Sequence, residues 1–163
     1  MASGQEHNLH VRAVMEPAQG FLDLGMFDDA WKALDDLLPE DKAHPLVVLL
    51  RMDILMGLRR FDDAVAIGTG ACRQWPVLDG FFVKTVSALI NLADYEKAKE
   101  MLLTGPESLH QKAAYWFDLS RCHCRLREFD LAKKSISECI GRDAKYKQRV
   151  LDATDLEAVW NSL

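Results

Sequence analysis

With 163 residues, 49% apolar and 28% charged, the chain is long enough to bury a core as one domain and falls outside the disordered and collagen-like classes. Its 20 Lys and Arg against 25 Asp and Glu give a formal charge of −5 with no basic block, which argues against a general binder of nucleic acid or anionic membrane. The longest apolar run, Leu46 to Leu50, is far short of a membrane span. The opening seven residues carry no apolar signal segment and four Cys are too few for a disulfide scaffold, so the cytoplasm is the expected compartment.

Residues 1–10 are polar and without period, which predicts a loose tail. The next pattern reaches Leu24 but contains Pro17, and proline is tolerated only in a first turn. The helix therefore either starts near Ala13 or is kinked, and the late start fits better. Gly25 supplies a turn, Asp28 is placed as the N-cap of a second helix to about Leu38, and Pro39 ends it. A helix from Pro45 to Leu58 follows, then one capped by Asp62 that carries Gly68 and Gly70 and stops before Pro76. Glycines there cost helix stability, and close approach of a neighbour is their expected use. Asp79 to Leu92 and Asp94 to Leu103 form the next pair, which Gly105-Pro106 breaks. Ser108 is read as the cap of a helix to Leu126, and Asp130 as the cap of one ending near Gly141. In the last segment Val150, Ala153, Leu156 and Trp160 recur at helical spacing, and Thr154-x-x-Glu157 reads as a capping box.

One string organises these elements. Phe27-Asp28-Asp29-Ala30 returns at one constant step as Phe61-Asp62-Asp63-Ala64, Tyr95-Glu96-Lys97-Ala98 and Phe129-Asp130-Leu131-Ala132. Leu24, Leu58, Leu92 and Leu126 keep the same step. A fixed period of this length marks an architecture built from one repeated supersecondary unit.

At these residues the chain resembles the tetratricopeptide repeat family, whose unit is a helix-turn-helix with the same period. The family pattern is partly met by Trp116-x2-Leu119, with Ser120 and His123 where Gly and Tyr are usual. Ala30-x3-Leu34, Ala98-x3-Leu102, Ala132-x3-Ile136 and Pro76 meet it too. The position where the paired helices approach holds Ala18, Met52, Val86 and Ser120. The resemblance implies an all-α, right-handed α-solenoid of four repeats (11–44, 45–78, 79–112 and 113–146), with residues 147–163 as a C-terminal capping helix. Some family members clamp acidic chaperone tails with two Lys, one Arg and two Asn. The matching positions here are Met15, Gln19, Leu50, Gly80 and Lys84, so that activity is not carried over.

Catalytic chemistry is not indicated. On a helix the side chains of Cys122-His123-Cys124 point about 100 degrees apart, which is unsuited to gripping one metal, and buried structural thiols are the better reading. The five His are scattered, and no phosphate loop, dinucleotide fingerprint or zinc-protease motif occurs. Asp28-Asp29 and Asp62-Asp63 sit at helix starts, where the dipole accounts for them. No cofactor and no metal are expected.

Within the repeat reading, the first helix of each pair lines a concave side. Beside the core stripe lie Leu49, Asp53 and Met56, then Val83, Ser87 and Ile90, then Phe117 and Arg121, with Lys84, Asn91 and Arg125 at the margin. Either these residues are covered by neighbouring repeats or they form a binding strip, since apolar patches of that kind mark interaction sites. The expected function is a non-enzymatic interaction module that takes a protein or peptide partner in this groove. The alternatives are a homo-oligomerising assembly subunit, with a homodimer as its simplest form, and a secretion-type chaperone for an unfolded client.

Overall fold

The computed structural model describes the backbone from residue 2 to 160 and side chains from residue 8. Among these residues every regular element is helical and no strand occurs. The chain folds as two compact units, Met1–Trp75 and Pro76–Leu163, where the length alone predicts one domain.

The first unit contains α1 (Ala2–Asp23), α2 (Phe27–Asp35), α3 (Pro39–Lys42), α4 (Pro45–Gly57) and α5 (Phe61–Gln74). Helices α1 and α2 pack as a pair, α4 packs on both, and α5 pairs with α4. Their shared core is Val11, Ala18, Ala30, Leu34, Val47, Leu50 and Ile54. Two expectations are corrected here. Residues 2–10, expected in a loose tail, are helical, and α1 runs through Pro17 instead of starting near Ala13. Val11 and Ala18, two turns apart on one face, are both buried, while Pro17 is exposed. The proline therefore costs a hydrogen bond on the wet side, where water can satisfy the freed carbonyl, and burial on the other side holds the helix together.

The second unit contains α6 (Asp79–Asn91), α7 (Tyr95–Thr104), a 3₁₀ turn (Glu107–Gln111), α8 (Ala113–Arg125) and α9 (Phe129–Arg142). It continues with α10 (Tyr146–Asp152), a second 3₁₀ turn (Thr154–Leu156) and α11 (Glu157–Trp160). Helices α6 and α7 pair, as do α8 and α9, and α7 also packs on α8. The segment after α9 closes a cluster in which Phe117, Cys124, Ala132, Ile136 and Cys139 meet Val150, Leu156 and Val159.

The sequence period is visible in the backbone itself. First helices begin at Pro45, Asp79 and Ala113, and second helices at Phe27, Phe61, Tyr95 and Phe129. Between partners the chain turns through one left-handed residue, Gly25, Arg59, Ala93 or Arg127, with φ of 72°, 58°, 59° and 64°. Each turn closes with the same two bonds. The left-handed residue's N–H donates to the carbonyl three residues back, and the following N–H donates to the carbonyl five back. The pairs are Gly25–Leu22 and Met26–Phe21, Arg59–Met56 and Arg60–Leu55, Ala93–Ile90 and Asp94–Leu89, and Arg127–Cys124 and Glu128–His123. This is the Schellman arrangement, which satisfies carbonyls that a helix end leaves open. The repeated Ala30, Ala64, Ala98 and Ala132 are each at 0% exposure, and Ala18, Met52, Val86 and Ser120 are buried too.

The caps differ from expectation. Asp28, Asp62 and Asp130 lie inside the first turn, and the N-cap positions are Met26, Arg60 and Glu128, with no side-chain cap bond. Those carboxylates act on the helix dipole and do not bond the first N–H groups. Only Asp94 of this series caps, accepting from the Lys97 N–H. Ser108 sits in the 3₁₀ turn and donates to Asp79 Oδ1 at 2.5 Å, and Thr154, the expected cap, lies inside a second 3₁₀ turn whose N-cap position is Ala153. A Cβ at Gly70 would meet nothing within 4 Å, so close approach is not its use. At Gly57 it is, because a Cβ there would meet the Phe27 ring at 2.2 Å.

Candidate interaction surface

The helical ladder of each first helix decides which side chains reach the surface. On α4, Val47, Leu50, Met52, Ile54 and Leu55 point inward, which leaves Leu49, Asp53 and Met56 half-buried beside them. On α6, Val83 is 37% exposed, Lys84 and Ser87 are half-buried, and Asn91 is exposed, its amide donating to the Ser87 carbonyl. Ile90 is buried at 4%, beside Leu89 in the core. On α8, Arg121 is half-buried and Arg125 exposed, whereas Phe117 is buried at 4%. Ile90 and Phe117 are therefore core residues and not surface anchors. Phe117 is covered by the segment after α9, with the Tyr146 ring 5.7 Å away and the Arg149 guanidinium 4.7 Å over its face.

The polar residues of α8 converge on one carboxylate. Arg121 donates from Nε to Asp155 Oδ2 at 2.7 Å, and its second terminal nitrogen lies 2.5 Å from the same oxygen. Tyr95 donates its hydroxyl to Asp155 Oδ1 at 3.1 Å, and Arg125 lies 3.5 Å from that oxygen. The Arg125 guanidinium also stacks 5.4 Å over the Tyr95 ring. Asp118, one turn before Arg121, is 3.5 Å from it. Burial pushes the Asp118 carboxyl up to about 6, against the pull of Arg121 and Arg149. An open pocket of about 330 Å³ borders this network, with Phe117, Arg121, Arg149 and Asp155 among its walls.

Sequence reasoning missed Tyr95, Arg149 and Asp155. For Asp155 a signal existed, because it follows Arg121 by one full period. That step places the two at the same register of successive repeats.

The Cys-His-Cys string is interior. Cys122, His123 and Cys124 are all buried, and burial raises the Cys122 thiol to about 12 and the Cys124 thiol above its ordinary value. A reactive thiolate needs the opposite environment. His123 Nδ1 lies 2.5 Å from Glu128, which also accepts from Lys99 at 2.8 Å. This network ties α7, α8 and the turn before α9 together. Among the described residues no helix is long and apolar enough to cross a membrane. Comparison with family models finds no match to the chain, and comparison with curated proteins finds none either.

Proposed function

We propose that the chain is a non-enzymatic interaction module of the tetratricopeptide kind, an α-solenoid that binds a partner protein segment through its first-helix faces. The observation that carries this reading is the recurrence of one turn geometry at Gly25, Arg59, Ala93 and Arg127. Helical-repeat chains stack such units to present an extended face, and their chemistry is recognition. The first unit offers a partner Leu49, Asp53 and Met56 on α4. The second offers Val83, Lys84, Ser87 and Asn91 on α6, with Arg121 and Arg125 on α8 held by Asp155 in the free chain. Mixed apolar and polar faces of this kind fit an amphipathic helix or an extended peptide with spaced aliphatic anchors. Four buried thiols, none in a disulfide, support a reducing compartment such as the cytoplasm.

The test compares the natural chain with Leu49→Asp/Val83→Asp as affinity baits in lysate of the native cell. Both positions reach solvent, so the variant keeps its helical circular dichroism and its melting temperature. It loses the partners that the natural chain retains, since removing buried anchors costs a few kcal/mol of binding. A folded variant that captures the same set of proteins would place recognition on another face.

A further inference from the structure

Three of the residues that the sequence assigns to partner contact are already occupied by the chain itself. Residues 146–160 set Tyr146 and Arg149 against Phe117, and Asp155 against Arg121 and Arg125. Leu156 and Val159 then bury completely in the cluster on α8 and α9. The segment begins close to the register that a fifth first helix would take, one period after Ala113, yet it is not a regular helix. It breaks at Ala153, whose backbone is extended (φ −76°, ψ 108°), into a seven-residue helix, a 3₁₀ turn and a four-residue helix.

Helices that short have no stability of their own and are held only by side-chain anchors. Ordering their backbone is an entropic cost that the anchors must offset, so elements of this kind open at lower free energy than long paired helices. The polar part of the hold borders an open pocket, with the Arg121 and Asp155 side chains 25% and 14% exposed beside it.

We propose that residues 146–160 are a resident occupant of a docking face on α8, displaced by a partner segment that repeats the chemistry of Asp155, Leu156 and Val159. That chemistry is a carboxylate followed directly by an aliphatic residue, with a second aliphatic three positions later. Asp155 supplies the charge that fills Arg121 and Arg125, and Leu156 and Val159 fill the apolar floor beside them. The proposal rests on the interaction reading above and refines it. Its test uses only this chain and a peptide copy of itself, so its failure leaves the α4 and α6 faces to be judged by their own variant.

The experiment uses the full chain, its Asp155→Asn variant, and a fluorescein-labelled synthetic peptide of residues 146–160. Hydrogen exchange is read by mass spectrometry and peptide binding by anisotropy. In the natural chain, amides of 146–160 should exchange faster than those of α8 and α9. The Asp155→Asn variant loses charge-assisted bonds to two arginines, so exchange in 146–160 should rise about tenfold or more with α8 and α9 unchanged. Apparent affinity for the peptide should rise by the same factor, since binding scales with the open fraction. A peptide carrying the Asp155→Asn change should bind more weakly than the natural peptide. Exchange in 146–160 that rises only together with α8 and α9 would overturn the proposal, as would a peptide that binds neither protein. A variant that fails to fold would overturn it too, because the segment would then be inseparable from the core.

Discussion

The Phe27 ring rests on the bare backbone of Gly57. A Cβ at residue 57 would lie 2.2 Å from one ring carbon and within 2.7 Å of two others. The same register in the second unit pairs the Tyr95 ring with Arg125, and there the contact is a cation stacked 5.4 Å from the ring centre. In each unit one aromatic that opens a second helix thus packs on the last residue of the next first helix, and the two units meet that contact with different side chains. Gly57→Ala should overpack this site and cost about 1–3 kcal/mol in urea unfolding. Phe27→Leu on the same background should recover part of the loss. A Gly57→Ala protein as stable as the natural chain would show that the ring has room to move.

The left-handed turns give a second measurement. Non-glycine residues in that region are strained by roughly 1–2 kcal/mol. Glycine removes the strain but loses more entropy on folding. Ala93 is the cleanest site, because its side chain is a methyl group, whereas Arg59 also stacks over the Phe61 ring at 5.7 Å. Ala93→Gly should therefore stabilise the chain by about 0.5–1 kcal/mol. Gly25→Ala, where a Cβ meets nothing within 4 Å, should destabilise it by about 1 kcal/mol through backbone strain alone. Urea denaturation of the two variants reads opposite shifts in midpoint.

Much of the helical order was legible because it repeats. One period repeats the same string at Phe27, Phe61, Tyr95 and Phe129, and a helix begins at each of them, which is two residues earlier than caps at Asp28, Asp62 and Asp130 imply. The start of the first helix is hidden from the sequence. A local rule, proline only in the first turn, is outweighed by burial of Val11 and Ala18 that no local pattern reports. Asp28, Asp62 and Asp130 resemble caps because a carboxylate one position inside the helix serves the same dipole as one at its edge. The surface is harder to read. Helical spacing orders the side chains around α8, but the burial of Phe117 depends on where Tyr146 and Arg149 come to lie, beyond the whole of α9. Ile90 shows the same limit, since the helix buries both it and its neighbour Leu89.

Acid titration should single out Asp118. Its carboxyl is raised by burial to about 6 from an ordinary 3.8, so the folded chain holds that proton more tightly than the unfolded chain. Its contribution to stability is complete below about 3.8 and is lost as pH rises through about 6. Glu128 runs the other way. Lys99, and then His123, hold it below the ordinary carboxylate range, and its contribution is lost as pH falls through that lowered value. Asp118→Asn removes the charge while keeping a polar group for Arg121. Its melting temperature should exceed that of the natural chain at about pH 7.5, and the gain should shrink to nothing by about pH 4. A variant that melts lower than the natural chain near neutral pH would mean that pairing with Arg121 outweighs the burial.

Phe117 and Val83 separate core from surface on neighbouring first helices. Both fall in the predicted groove, one period apart, yet one is 4% exposed and the other 37%. Phe117 has its ring in a cluster with Ile136, Val150 and Leu156, and Tyr146 and Arg149 lie against it. Phe117→Ala should cost about 3–5 kcal/mol, the transfer of the ring plus the cavity it leaves. It should also release Arg149, whose guanidinium rests on that face. Phe117→Asp should not fold, since a carboxylate buried in that cluster carries a desolvation cost far above what the ring's loss alone would bring. Val83→Asp exchanges one partly exposed side chain for another and should stay within about 0.5 kcal/mol of the natural chain. Thermal melting of the three variants settles the assignment. If Phe117→Asp melts with the natural chain, the segment after α9 leaves that ring in water for much of the time, and α8 carries an open face.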